Sequence, residues 1–209
     1  MLNCSSEPMR NASSPQPESL LLFILQRSDL EDRAKIMDYI GSLTSSTSRS
    51  WYESEDYIVI LALGNDLTRI LESHMDNKMA WRLYTPLYAA SNSNEESLRA
   101  VTHTLVLNGM SPKPEDEDDF NQWYAEEHVP LLSSVPGWIY SRRYRLIQSS
   151  SFEAKVPPNY LVVHAWESEE SFLSDEYKQA VSTPWRNKVV NSVTAKERYV
   201  LTSSNAADS

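Results

Sequence analysis

Three of the chain's four histidines, His103, His128 and His164, lie in its second half. Imidazole is the side chain best suited to moving protons near neutral pH, so three of them in one pocket would suit general acid/base chemistry. His128 has the most informative neighbours. Residues 119–138 read DFNQWYAEEHVPLLSSVPGW, with Phe120, Trp123, Tyr124, Glu127, His128 and Leu131 at offsets 0, 3, 4, 7, 8 and 11. That spacing marks one face of an α-helix, an apolar stripe bearing a carboxylate and an imidazole side by side, with Glu126 turned to solvent. Burial lowers the pKa of a lone histidine and an adjacent carboxylate raises it, so the pair is expected to titrate near neutrality. The acidic run Glu115 to Asp119 suits the positive end of the helix dipole. Pro130 cannot donate to the Glu126 carbonyl, so the helix should kink or loosen around His128 before Pro136-Gly137 ends it. The competing reading is structural: a single histidine on an apolar stripe is often a hydrogen-bonded core residue.

Other residues fit a site around these rings. Tyr160 shares the strand parity of His164, and Trp123, Tyr177 and Trp185 can supply aromatic walls for a flat, partly apolar molecule. Arg186, beside Trp185, could meet a substrate carboxylate or phenolate. His74 reads as packing, and Arg142, Arg143 and Arg145 read as a solvated face. Histidine spacings of 25 and 36 residues match no local metal motif, so no metal is expected. With four glycines and no glycine-rich phosphate loop, a nucleotide site is not expected either.

The elements that must position these residues follow one order twice. After a Ser-, Pro- and Asn-rich lead-in at 1–18, an apolar run at 20–26 reads as a buried strand and 30–43 as a helix. Residues 48–54 and 57–63 read as a hairpin pair. A helix capped by Asn65 or Asp66 carries Leu67, Ile70 and Leu71, and a strand follows from about Trp81. A linker at 91–97 leads to a second set: strand 101–107, the His128 helix, strand 138–147, a proline-containing loop, and strand 159–168. Helical residues from Glu170 break at Thr183-Pro184, a cap followed by proline at the first helical position. Strand 196–202 closes the unit before a short tail at 204–209. DYIVILALGND (56–66) lies over NYLVVHAWESE (159–169), matching Tyr57 with Tyr160 and Ala62 with Ala165. Two βαββαβ repeats, 19–90 and 98–203, therefore make the chain. Each ferredoxin-like sheet has one bare face, and the other repeat's sheet is the natural cover. An α+β fold closing as an intramolecular, pseudo-dimeric barrel is expected, with the site in the second repeat. Further self-association into a homodimer remains compatible with it.

Composition bounds the partners. A net charge of −10 without a basic cluster argues against nucleic acid or an acidic membrane surface. The single cysteine, Cys4, allows no disulfide within the chain. Neither a signal-type apolar segment nor a membrane-length apolar stretch is evident, so a soluble cytoplasmic protein acting on a small molecule is expected.

The motif WYAEEHVPLL, followed by VPGW and SRRY, resembles the EthD-domain branch of the dimeric α+β-barrel superfamily, especially the two-repeat proteins of fungi. The resemblance covers about residues 98–203. It implies kinship with cofactor-independent cyclases, dehydratases, decarboxylases and isomerases of polyketide or aromatic intermediates, and with haem-binding enzymes. In the cyclases the site lies between sheet and helices; the resembling positions are His103, Tyr160 with His164, and Trp185, with His128 matching the family's helix histidine. Trp185 stands where the cyclases carry a histidine, a departure from their pattern. The expected function is a cofactor-independent lyase or cyclase of a polyketide-like secondary metabolite. A haem-dependent enzyme and a non-catalytic small-molecule-binding protein are the alternatives.

Overall fold

Continuous apolar runs and segments of alternating burial produce eight strands in the computed structural model, which describes residues 18–27, 33–43, 48–64, 67–68, 71, 80–91, 104–150 and 155–203. They are β1 (Ser19–Gln26), β2 (Ser48–Glu53), β3 (Tyr57–Gly64), β4 (Trp81–Ser91), β5 (Thr104–Ser111), β6 (Trp138–Ser149), β7 (Tyr160–Trp166) and β8 (Ala195–Ser203). All pair antiparallel in a closed barrel of order β1-β3-β2-β8-β5-β7-β6-β4. Each half thus shows the ferredoxin-like order, fourth-first-third-second, and the halves join edge to edge. The α+β pseudo-dimeric barrel is the fold of this chain. Closure removes the free sheet edges that two separate four-stranded sheets would expose.

Strand parity sorts the side chains. Leu20, Leu22, Val59, Leu61, Leu105, Leu107, Leu161, Val163 and Leu201 fill the barrel with four buried tyrosines. Each such aliphatic side chain contributes on the order of 1.5–3 kcal/mol by leaving water. Arg82 and Glu197 are on this inner face too, by register with Leu22 and Gly109, and form an ion pair across the barrel. Glu197 passes directly over Gly109, where an added Cβ would come within 2.7 Å of its Cγ. Outside the barrel, helix α1 (Arg33–Leu43) brings Ile40 against Leu21, Phe23 and Ile60 of the first half.

On the second half, α2 (Glu117–Trp123), a π-helical turn (Tyr124–His128) and α3 (Val129–Ser133) form one continuous helix. The loosening expected at Pro130 takes the form of this turn, in which the Val129 N–H reaches back to the Tyr124 carbonyl. The added residue shifts the buried face by one position. Phe120, Trp123 and Tyr124 are followed by His128, Val129 and Leu132 in the core, while Glu127 and Leu131 are rotated outward to partial exposure. Helices α4 (Asp175–Ala180) and α5 (Pro184–Ser192) complete this layer, and Thr183 caps α5 by accepting from the Arg186 N–H at 3.2 Å. Strand β5 runs on through Asn108-Gly109 to Ser111, past the expected end at 107. Among the described residues no helix is long and apolar enough to cross a membrane.

Candidate functional site

Between the outer face of β5, β7 and β8 and the helical layer lies a cavity of ≈ 370 Å³. Its sheet wall is made by alternate residues: His164 pairs with Val106, and the neighbouring rows hold Asn108 with Arg198 and Met110 with Lys196. The helical wall contributes Trp123, His128 and Leu132, and Tyr177 and Arg186 come from α4 and α5. Five residues singled out from sequence therefore line one space: Trp123, His128, His164, Tyr177 and Arg186. Tyr160, Glu127 and Trp185 do not line it, and His103 lies outside the described residues, as does His74.

The two histidines form the deep end. His128 stacks on Trp123, with centroids 4.5 Å apart and planes at 23°, and meets His164 edge-on at 6.0 Å. Both are buried. Burial, with the Arg186 guanidinium second, pushes the His128 pKa down to about 3. His164 is likewise held well below the ordinary histidine range, by burial first and then by His128. Both rings are neutral at pH 7. The near-neutral titration expected from a Glu127–His128 pair is not found. With the π turn rotating it away, Glu127 accepts from the Thr183 hydroxyl at 2.5 Å instead. Glu127 thereby ties the His128 helix to the capped start of α5, which presents Arg186.

The hydrogen-bond network assigns a tautomer to each ring. Ser141 Oγ receives the Trp138 indole N–H at 3.0 Å and lies 2.7 Å from His164 Nδ1. Among the described residues the buried Ser141 hydroxyl has no other acceptor, so the arrangement that satisfies it sends its proton to Nδ1 and places the proton of His164 on Nε2. That N–H has no protein partner. The Ala180 carbonyl favours a proton on the His128 ring, and Nδ1 is buried without a partner. The nitrogen left to carry that proton is Nε2, with Nδ1 as a bare acceptor. One ring offers a donor and the other an acceptor.

The remaining expected residues have other attachments. The Tyr160 hydroxyl donates to Glu117, and the Trp185 indole donates to Asp119 at 3.2 Å. Arg143, read from sequence as part of a solvated face, is buried: its guanidinium lies 4.3 Å from the Tyr124 ring centroid and donates to Asn121 Oδ1 at 2.7 Å. Sequence reading also missed Ser141, Lys196 and Arg198. Period-two alternation along AKERYVLTS would have put Lys196 and Arg198 on the helix-facing side of β8. Nothing local marks Ser141. Among the described residues no three His, Cys, Asp or Glu side chains are grouped to hold a metal ion.

No family model matches the sequence, and no curated protein matches it. Solved structures do match the fold. An anthrone oxidase-like protein superposes with a TM-score of 0.61 at 11% identity, covering 90% of each chain. A ferredoxin-fold protein related to antibiotic biosynthesis monooxygenases, from Listeria monocytogenes, gives 0.57 at 12% identity over 90% of this chain and 95% of its own. A heme-degrading enzyme from the same species gives 0.53 at 12% identity over 88% and 99%. At such identities the likeness establishes the architecture, a ferredoxin-like α+β barrel shared with monooxygenase-like and heme-degrading proteins.

Proposed function

We propose that this cavity binds a flat, largely apolar small molecule of the polyketide type and promotes cofactor-independent proton transfer beside one of its carbonyl groups. One observation carries the reading. Two buried, neutral imidazoles line a single aromatic-floored cavity, and each keeps one unpartnered nitrogen of opposite hydrogen-bonding sense. His128 Nδ1 is the base that accepts the substrate proton. His164 keeps its Nε2 proton and donates a hydrogen bond from it to the carbonyl oxygen as the enolate forms. The proton taken by His128 makes an imidazolium, and the enolate formed in the same step is the opposite charge beside it, so the net charge of the site is unchanged. Ser141 holds His164 in the donating tautomer, and Trp123 fixes the plane of His128. An enolate formed this way expels a β-hydroxyl in dehydration or adds to a second carbonyl in ring closure, and loss of carbon dioxide from a β-keto acid forms the same enolate in decarboxylation. The resemblance of WYAEEHVPLL, VPGW and SRRY to EthD-domain sequences and the anthrone oxidase-like neighbour both support a substrate of this kind.

Anthrone, a carbon acid with a methylene conjugated to its ring carbonyl, serves as a probe. In heavy water the protein should accelerate deuterium entry at that methylene. His128→Ala should cut the acceleration by about 10²- to 10⁴-fold, the usual loss for one positioned acid/base group, with circular dichroism unchanged. Undiminished exchange in His128→Ala would sink the proposal. Binding of anthrone without exchange would instead identify a small-molecule carrier.

A haem-dependent reading has one observation in its favour. His164 lines the cavity through its Nε2 side, and Ser141 orients the opposite nitrogen, as partners of ligating imidazoles do. Haem, when bound, would supply oxygen activation, with His164 as its ligand and Arg186, Lys196 and Arg198 facing its propionates. A Soret band on haem titration that is lost in His164→Ala would favour this reading, and no band would remove it.

A further inference from the structure

The cavity has a mixed lining. Aromatic rings and neutral imidazoles line it together with three cations, Arg186, which acts on His128, and Lys196 and Arg198 on rows further along the sheet, and with one carboxylate residue, Glu197. Among the described residues none of the three is ion-paired. Glu197 also lines the cavity, but its carboxylate is neutralised by Arg82 on the barrel's inner face. Gly109 leaves the space that lets Glu197 lie there. Arg198 reaches towards the Tyr177 hydroxyl at 3.5 Å, across the cavity from its own strand. In a chain of net charge −10, three unneutralised cations on one cavity are a local inversion of sign.

We infer that the cavity takes an anion: a fused-ring aromatic molecule whose carboxylate or ionised phenol is held by Arg186, Lys196 and Arg198, while its reacting end lies against His128 and His164. Strand geometry sets the length. The Arg198 and Lys196 rows lie two and four residues along the sheet from the His164 row, about 7 and 13 Å at the rise of an extended strand. Two or three fused six-membered rings bridge such a gap, and they match the flat space between the sheet and the Trp123–His128 stack. The anion has a second effect. It neutralises the guanidinium groups that oppose charge on the two imidazoles, so the bound substrate itself eases proton transfer at the deep end.

The inference rests on the reading of the cavity as a small-molecule site, and a matched pair of probes separates the two. Anthracene-9-carboxylate and the neutral anthracene-9-methanol are titrated at pH 7, with tryptophan fluorescence as readout. The carboxylate should bind about tenfold more tightly at low salt, and most of that preference should vanish near 0.5 M salt, where the screening length falls to a few ångströms. Arg186→Gln with Arg198→Gln should reduce the preference for the carboxylate over the methanol to about twofold or less. Lys188→Gln, which removes a cation paired with Asp119 away from the cavity, should leave that preference unchanged. Equal binding of both probes by the wild type, or a preference that survives the double substitution, overturns the anion assignment while the aromatic cavity stands. Failure of both probes to bind overturns the cavity reading and the anion with it.

Discussion

Lowering the pH from 7 to 5 should destabilise the protein in part through His128, by an amount that follows from its burial. Its pKa is pushed from 6.5 to about 3, chiefly by desolvation. In the unfolded chain the ring titrates in its ordinary range. Below 6.5 the unfolded state therefore binds a proton that the folded state refuses. Stability is greatest above that range and falls as the pH drops through it, by about 1.4 kcal/mol per pH unit for one such group. Integrated from pH 7 to pH 5, where the folded ring is still neutral, the loss is about 2 kcal/mol. His164 shifts in the same direction and adds to it. Urea unfolding of wild type and His128→Phe at both pH values isolates the effect, because the phenyl ring keeps the stack on Trp123 and cannot titrate. The wild-type loss should exceed that of the variant by about 2 kcal/mol, whatever the variant's stability at pH 7. Equal losses would refute burial as the control on this ring.

Two further substitutions probe the framework. Ser141→Ala removes the acceptor of the Trp138 indole and the partner of His164 Nδ1, both buried, and should cost about 1–3 kcal/mol, read as a lower thermal midpoint. Arg82→Ala removes the cation paired with Glu197 on the barrel's inner face, leaving it the Tyr199 hydroxyl at 3.4 Å, and should cost about 3–5 kcal/mol in urea unfolding. Arg82→Met combined with Glu197→Leu should recover most of that loss, since the pair is then replaced by apolar packing rather than broken.

The barrel was legible in the sequence because it is written twice. The match of 56–66 with 159–169 places two third strands, β3 and β7, each beside its own first strand. Two bare sheet faces then leave closure as the economical outcome. Of the candidate site, the grouping of His128, His164, Trp123, Tyr177 and Arg186 around one cavity was legible, because there residue type and helical or strand parity agree. Glu127 misled because an α-helical wheel assumes 3.6 residues per turn throughout, and one π turn displaces every later position by a residue. Arg143 misled because a strand pattern cannot say that Phe120 and Tyr124 will lie over one arginine and bury it. Ser141 was invisible because its partners, Trp138 and His164, meet it only through the β6–β7 register.

The barrel's two seams are unequal. Between β4 and β6 the halves share nine register pairs, whereas among the described residues β2 and β8 share two, Tyr52 with Ser203 and Glu53 with Thr202. Local opening follows the line of fewest ladder bonds. The cylinder therefore breathes like a book bound along β4–β6, with its loose edge at β2–β8. That edge belongs to the strand whose other end carries Lys196 and Arg198. Slow exchange between an open and a closed cylinder would reach the cavity through β8, and an opened pair of edges is also what a second copy of the chain needs in order to trade halves.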